Sequence, residues 1–144
     1  MFTSRVAVVI RCPLEEVFAF VADVRNRPRW DDSVESEELT SPDPIGVGTT
    51  VRTRLRSMGR EYQYTWEIVE HDPPNGMTVK STSGPFPTTL NFRFDGRDDG
   101  THVEATVTTG LMRLLQPMIA RTTQKNLDRG YVSLKRLLET GPSS

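Results

Sequence analysis

A chain of 144 residues has the length of one domain, enough to enclose a core and too little for two, so residues 1–144 are expected to fold as one unit. Its 18 Lys and Arg nearly cancel its 19 Asp and Glu, which excludes a molecule-wide field able to gather nucleic acid or an acidic membrane. The single cysteine, Cys12, excludes an internal disulfide and a cysteine-based zinc site.

Apolar residues make up 35% of the chain and charged residues 26%, a balance that departs from that of a disordered chain. No apolar stretch reaches the roughly 18 residues of a membrane span. The opening "MFTSRVAVVI" lacks the charged start and long apolar run of a secretion leader. These features lead to the expectation of a soluble cytoplasmic protein, monomer or homodimer, with no stable membrane insertion and no nucleic-acid partner.

The segment "SRVAVVIRCPLEEVFAFVADV" changes period partway. Val6, Val8 and Ile10 alternate as in a strand, whereas Leu14, Val17, Phe18 and Val21 recur at helical spacing after Pro13, a residue suited to a first helical turn. "RNRPRWDDS" follows, with Pro28 leaving room for one short helical turn near Trp30.

From about residue 34 to 109 strand-like runs alternate with turn signals. "SPDPIGVG", "MGRE", "DPPNG", "SGPFP" and "GRDDG" separate a strand ending near Thr40 from "TTVRTRLRS", "EYQYTWEIVE", "MTVKSTS", "TTLNFRFD" and "THVEATVTT". Connections this short join antiparallel neighbours, so the sheet is expected to be an antiparallel meander in an α+β fold. Several strands are one-sided: Val51, Thr53 and Leu55 oppose Arg52, Arg54 and Arg56, while Leu90, Phe92 and Phe94 oppose Asn91 and Arg93. In "EYQYTWEI" the rings of Tyr62, Tyr64 and Trp66 share one face with Ile68. The arginine row reads as a solvated outer surface rather than a phosphate-binding stripe, because no aromatic residues share its face.

The cover for the apolar face is residues 111–139, one long helix with Leu111, Leu115, Met118, Leu127, Tyr131, Leu134 and Leu138 on a stripe. Pro117 is expected to kink it or to divide off a first turn, and Gly130 weakens it by about 1 kcal/mol relative to alanine. Between Ile119 and Leu127 the stripe thins to Thr122, Thr123 and Asn126, where the helix is expected to stand away from the sheet.

Motifs for nucleotide-dependent or nucleophilic chemistry are missing from the sequence: no phosphate-binding glycine loop, dinucleotide fingerprint or G-x-S-x-G elbow occurs. His71 and His102 lack ligand partners at metal-site spacing, so neither a metal nor a cofactor is expected. Cys12, beside Pro13, reads as a small structural residue. The groups left for acid-base work are Tyr62, Tyr64 and His71; alternation directs Glu61 away from the rings, and His71 reads as a solvated hairpin residue or at best a rim residue.

The order of elements, "PLEEVFAFVADVRNRPRWDDSV" with Pro13, Phe18, Asp23, Pro28 and Trp30, "VGTTVRTRL" and "LDRGYVSLKRLLE" together resemble the START-like, or SRPBCC, superfamily and within it the polyketide cyclase/dehydrase and lipid transport family. The resemblance spans nearly the whole chain. It implies a helix-grip fold: a curved antiparallel sheet of about seven strands around the long C-terminal helix, with two short helices between the first two strands. It also implies a cavity for a hydrophobic small molecule, lined by Tyr62, Tyr64, Trp66, Phe92, Phe94, Met118 and Thr122. Three functions remain open on that basis: binding of a lipid- or polyketide-like molecule, a cyclase or dehydrase working in the same cavity, or a structural or regulatory protein whose rings fill the space. Cyclases of this kind often use an Arg or Asp in the cavity, and the sequence alone does not place one.

Overall fold

The computed structural model describes residues 2–57, 59–110 and 116–140, with the side chains of 116–119 outside that description. Strand β1 (Phe2–Ile10) leads into helix α1 (Leu14–Ala22), a 3-10 turn (Val24–Asn26) and the four-residue helix α2 (Arg27–Trp30). Strands β2 (Val34–Leu39), β3 (Thr50–Ser57), β4 (Arg60–Asp72), β5 (Gly76–Ser83), β6 (Thr88–Arg97) and β7 (Gly100–Thr109) follow, and helix α3 (Gln116–Glu139) closes the chain.

The sheet order is β1-β7-β6-β5-β4-β3-β2, every pair antiparallel. The expected meander is therefore β2 to β7, and β1 adds to its far side. Because β1 and β2 are neighbours in sequence but opposite edges of the sheet, the chain between them must cross from one edge to the other, and α1 and α2 make that crossing.

One sheet face carries the core. Ile10, Val17, Val51, Ile68, Val103 and Leu134 are sealed from solvent together with Tyr131. The opposite face is wet: Arg52, Arg54 and Arg56 pair with Glu38, Glu61 and Glu35 at 3.7, 2.7 and 2.8 Å. These pairs are half exposed and screened by water, so their main role is solubility.

The two ends of the inner face are closed differently. At the end carrying the β4–β5 and β6–β7 connections, Phe18 of α1 meets Phe94 edge-on at 5.2 Å and His71 at 5.8 Å. His71 is thus half-buried against a ring, not a solvated hairpin residue. The reason is a register shift between Ile68 and Glu70 in the β4–β5 pairing: Val69 and Glu70 are both exposed, and His71 returns to the inner side.

The C-terminal end of α3 is fixed to the β1–α1 junction. Lys135 Nζ donates to the Val9 carbonyl and to Glu139 at 2.7 Å each, and the Arg11 N–H donates to Glu139 at 2.9 Å. Cys12 Sγ donates to the Leu138 carbonyl at 3.2 Å, and burial, with Glu16 and Glu139 nearby, raises its thiol pKa. Cys12 is thus partly buried and packed against the core. Pro117 is the second residue of α3 as described, where a helix has no use for its missing N–H. Leu111, Leu115 and the question of a separate first turn lie outside the described residues.

Gly130 lies where α3 crosses α2. A Cβ there would sit 3.6 Å from Trp30 Cζ3 and 3.7 Å from Asp31 Cγ, ordinary contact distances. Gly130→Ala is expected to stabilise the protein by about 0.4–1 kcal/mol through restricted unfolded-state freedom. A urea midpoint at or below that of the unmodified protein would show that the helix crossing cannot accept a methyl group.

Candidate ligand-binding cavity

The inner face is not filled at the other end of the sheet, which carries the β3–β4 and β5–β6 connections. A cavity of about 160 Å³ lies there between the sheet and α3. Tyr62, Tyr64 and Trp66 of β4 and Leu55 of β3 form one wall, Leu90 and Val107 another. Its ceiling is Thr122, Thr123, Asn126 and Leu127, the segment of α3 where the apolar stripe thins. Small polar side chains cannot span the gap to the sheet, and the gap is the cavity.

The rings of Tyr64 and Trp66 stack at 4.8 Å between centroids and 20° between planes. They present a flat apolar wall. Gly84 makes this possible: its φ of +145° lies in a region side chains rarely adopt, and a Cβ there would fall 2.4 Å from Tyr64 Cδ1. Burial raises the Tyr64 phenol above its ordinary pKa, against the opposing hydrogen bonding of Thr88 and the Phe86 backbone, so it is a proton-bearing hydroxyl at neutral pH.

The floor is charged. Arg27 and Asp31, from α2 and the residue after it, both border the cavity and pair at 3.1 Å through Arg27 Nε and Asp31 Oδ2. The other Asp31 oxygen accepts from the Ser33 N–H at 3.1 Å and from Ser33 Oγ at 2.6 Å. The guanidinium carbon lies 5.3 Å over the Trp30 ring. Arg27 is partly buried, with 23% of its side chain open, and it borders both this cavity and a smaller void of about 20 Å³. Burial alone would lower its pKa, but Asp31 and Glu37 outweigh that and raise it.

Glu37 reaches this cluster from β2 because of one irregularity. The pairing of β2 with β3 shifts between Val34 and Ser36, so Val34 opposes Leu55, Ser36 opposes Arg54 and Glu37 opposes Thr53. Leu55 and Thr53 face inward and Arg54 outward, so the bulge reverses the alternation and turns Glu37 in. Thr53 Oγ1 donates to Glu37 Oε2. Burial pushes the Glu37 carboxyl up to about 7, against the lowering effects of the Arg27 charge and the Thr53 bond. Tyr131 of α3 stands near Arg27 and Asp31, and burial raises its phenol pKa well above the ordinary value. Its hydroxyl and Trp30 Nε1 are buried without a hydrogen-bond partner among the described residues, a cost of about 1–3 kcal/mol for each such group. Their rings meet edge-on at 5.2 Å.

Of the residues expected to form the site, Tyr62, Tyr64, Trp66 and Thr122 border the cavity. Phe92 borders the smaller void and not this cavity, and Phe94 packs on Phe18 at the opposite end. The Met118 side chain lies outside the described residues. His71 stands at the α1 end with Phe94, remote from the cavity wall. Arg27 and Asp31 also border the cavity, with Glu37 and Tyr131 near them, and no sequence pattern marks any of the four for it. Among the described residues no three His, Cys, Asp or Glu side chains are grouped to hold a metal ion, and no helix is long and apolar enough to cross a membrane.

Residues 1–139 match the sequence profile of the family described as polyketide cyclase / dehydrase and lipid transport. The chain belongs to this family. Membership supports a hydrophobic ligand-binding or cyclase role. Similar folds include TTHA0849 from Thermus thermophilus, at 24% identity over 99% of this chain and 100% of that one, with a TM-score of 0.86. A START superfamily protein from Mycobacterium smegmatis is 13% identical over 96% of this chain and 97% of its own, with a TM-score of 0.83. The Zhui aromatase/cyclase from Streptomyces sp. R1128 is 14% identical over 93% of this chain and 91% of its own, with a TM-score of 0.75. At these identities the likeness is one of fold. No curated protein matches the sequence.

The raised Glu37 pKa has a definite sign for stability. The folded state holds its proton up to about pH 7, whereas the unfolded chain releases it near 4.5, so Glu37 lowers stability as pH rises through that window. The full effect above it is on the order of 3 kcal/mol. Urea midpoints at about pH 5 and about pH 8 are expected to fall further for the unmodified protein than for Glu37→Gln; parallel changes would mean that Glu37 titrates as an ordinary surface carboxyl.

Proposed function

We propose that this protein binds an apolar or aromatic-polar small molecule, lipid- or polyketide-like, in the cavity between the sheet and α3. The observation that carries this reading is the combination of a stacked Tyr64–Trp66 wall with a polar floor around a space of about 160 Å³. A core built for stability alone would close such a space, since unfilled volume forfeits packing contacts. That volume matches cavities that take up one benzene-sized ring and falls short of the roughly 300–1,000 Å³ of pockets for drug-sized ligands. A ligand of several rings therefore enters by displacing the Thr122–Leu127 part of α3 or the 84–87 loop with Phe86.

The cyclase or dehydrase reading is favoured by one specific arrangement: the Tyr62 and Tyr64 rings and the Arg27 cation border the same apolar space. A protonated phenol and a fixed cation are suited to polarising a carbonyl and stabilising an enolate, and the cavity wall to bending a reactive chain. Tyr64→Phe keeps the ring and removes the hydroxyl. Turnover of an aromatising polyketide substrate is expected to fall about 100-fold or more if that hydroxyl is the acid, with ligand affinity little changed.

The first test of the binding reading is native mass spectrometry of freshly purified protein, with organic extraction of anything released. A stoichiometric adduct of a hydrophobic compound is the expected result. A bare mass, together with no binding of fatty acids, sterols or aromatic polyketides, would assign the rings to core packing.

A further inference from the structure

Arg27 is a costly side chain to place beneath an apolar cavity, because a guanidinium cannot shed its charge there. Of its five N–H groups, Nε donates to Asp31 at 3.1 Å, and no other hydrogen bond from its side chain is formed among the described residues. Neither neighbouring carboxylate is placed to complete the set. Asp31 is held on its other oxygen by Ser33, and Glu37 takes its hydrogen bond from Thr53. The terminal fork of Arg27 thus has no hydrogen-bond partner among the described residues, on a side chain that borders the cavity, whose polar lining besides Arg27 and Asp31 is hydroxyl and amide groups such as Ser33, Thr88 and Asn126. A planar fork of parallel donors is the geometric complement of a carboxylate.

The charges around the fork add a second condition. On α2 and just after it stand Arg27 and Asp31, which offset each other. From β2 comes Glu37; its β3 partner Thr53 does not titrate, and Arg52 and Arg54 of β3 lie on the outer face. From α3 comes Tyr131, kept neutral by burial. The other residues around the small void beside Glu37 are apolar or aromatic. An ionised Glu37 would therefore compete with an anionic occupant for Arg27, the cation that borders both spaces among the described residues.

We propose that the occupant of the cavity is a carboxylate-bearing apolar molecule, held by the terminal fork of Arg27 with its flat body on the Tyr64–Trp66 wall, and that binding it draws a proton onto Glu37. This rests on the ligand-binding reading above and specifies the chemical class. Glu37 acts through Arg27 and does not touch the ligand.

The test compares 2-naphthoate with its neutral isostere 2-naphthamide by calorimetric titration of the full chain at about pH 6 and about pH 8.5, in buffers of different ionisation enthalpy. At the lower pH naphthoate is expected to bind about tenfold or more tightly than naphthamide. Its affinity is expected to fall about tenfold at the higher pH, with proton uptake visible as buffer-dependent heat, while naphthamide binding stays flat. Glu37→Gln is expected to flatten the naphthoate profile, and Arg27→Gln to erase the preference for the anion. Should Arg27→Gln fail to fold, the Glu37→Gln profile and the isostere comparison carry the test alone. If both probes bind equally well with no pH dependence, the inference is overturned and the cavity reading stands. If neither probe binds, the cavity reading itself is overturned, and the inference with it.

Discussion

An apolar sheet face must be covered, and here the face is far wider than its cover. Seven strands at about 4.8 Å spacing span about 29 Å, whereas a helix with its side chains is about 10 Å across. The mismatch is resolved by curling the sheet around α3 and by using the crossing between β1 and β2 as a second cover. Helix α1 seals one end with Phe18, and α2 with Trp30 closes against Tyr131 and Gly130 of α3. The space left over is the cavity. Its position follows from where the covering elements run out of large apolar side chains, at Thr122, Thr123 and Asn126.

The same crossing segment supplies the polar floor. Because α2 is four residues long, it has no stable helical existence of its own, and Arg27–Asp31 is its one i,i+4 pair. A pair that holds a short turn together also fixes a guanidinium under the cavity. The fold of the turn and the polarity of the cavity floor therefore draw on the same two side chains, and removing Arg27 would leave Asp31 as an uncompensated buried charge. Substitution of the floor is best done at its periphery, where geometry survives.

Much of the fold can be read from the chain because the inner and outer faces of most strands differ in chemistry at every second residue. The rings of β4 are legible for that reason: the period of two persists from Tyr62 to Ile68 even though the pairing with β5 shifts beside Trp66. Phe92 and Phe94 follow the same alternation and do face inward, but alternation carries no information on distance along the strand, so it cannot separate cavity wall from packed end. Where a bulge interrupts the period, pattern fails outright. His71 and Glu37 each sit one step beyond such an interruption, and alternation gives the first the wrong face and the second no role. Arg27 and Asp31 escape the pattern for a different reason: "RNRPRWDDS" has the composition of a surface turn, and only tertiary contact buries it.

The bulge at Val34 has a consequence for how such a cavity can change over generations. β2 is an edge strand, paired on one side only, where insertion or deletion of a residue disturbs one ladder and leaves the remaining strands intact. Pairing the same residues one for one from Val34 opposite Leu55, without the extra step, would set Glu37 opposite Arg52 on the outer face and bring Ser36 in, exchanging a titratable neighbour of Arg27 for a neutral one. The chemistry beneath the cavity is in that sense set partly by strand phase, and two chains with the same residues in β2 need not share it if one of them lacks the extra step.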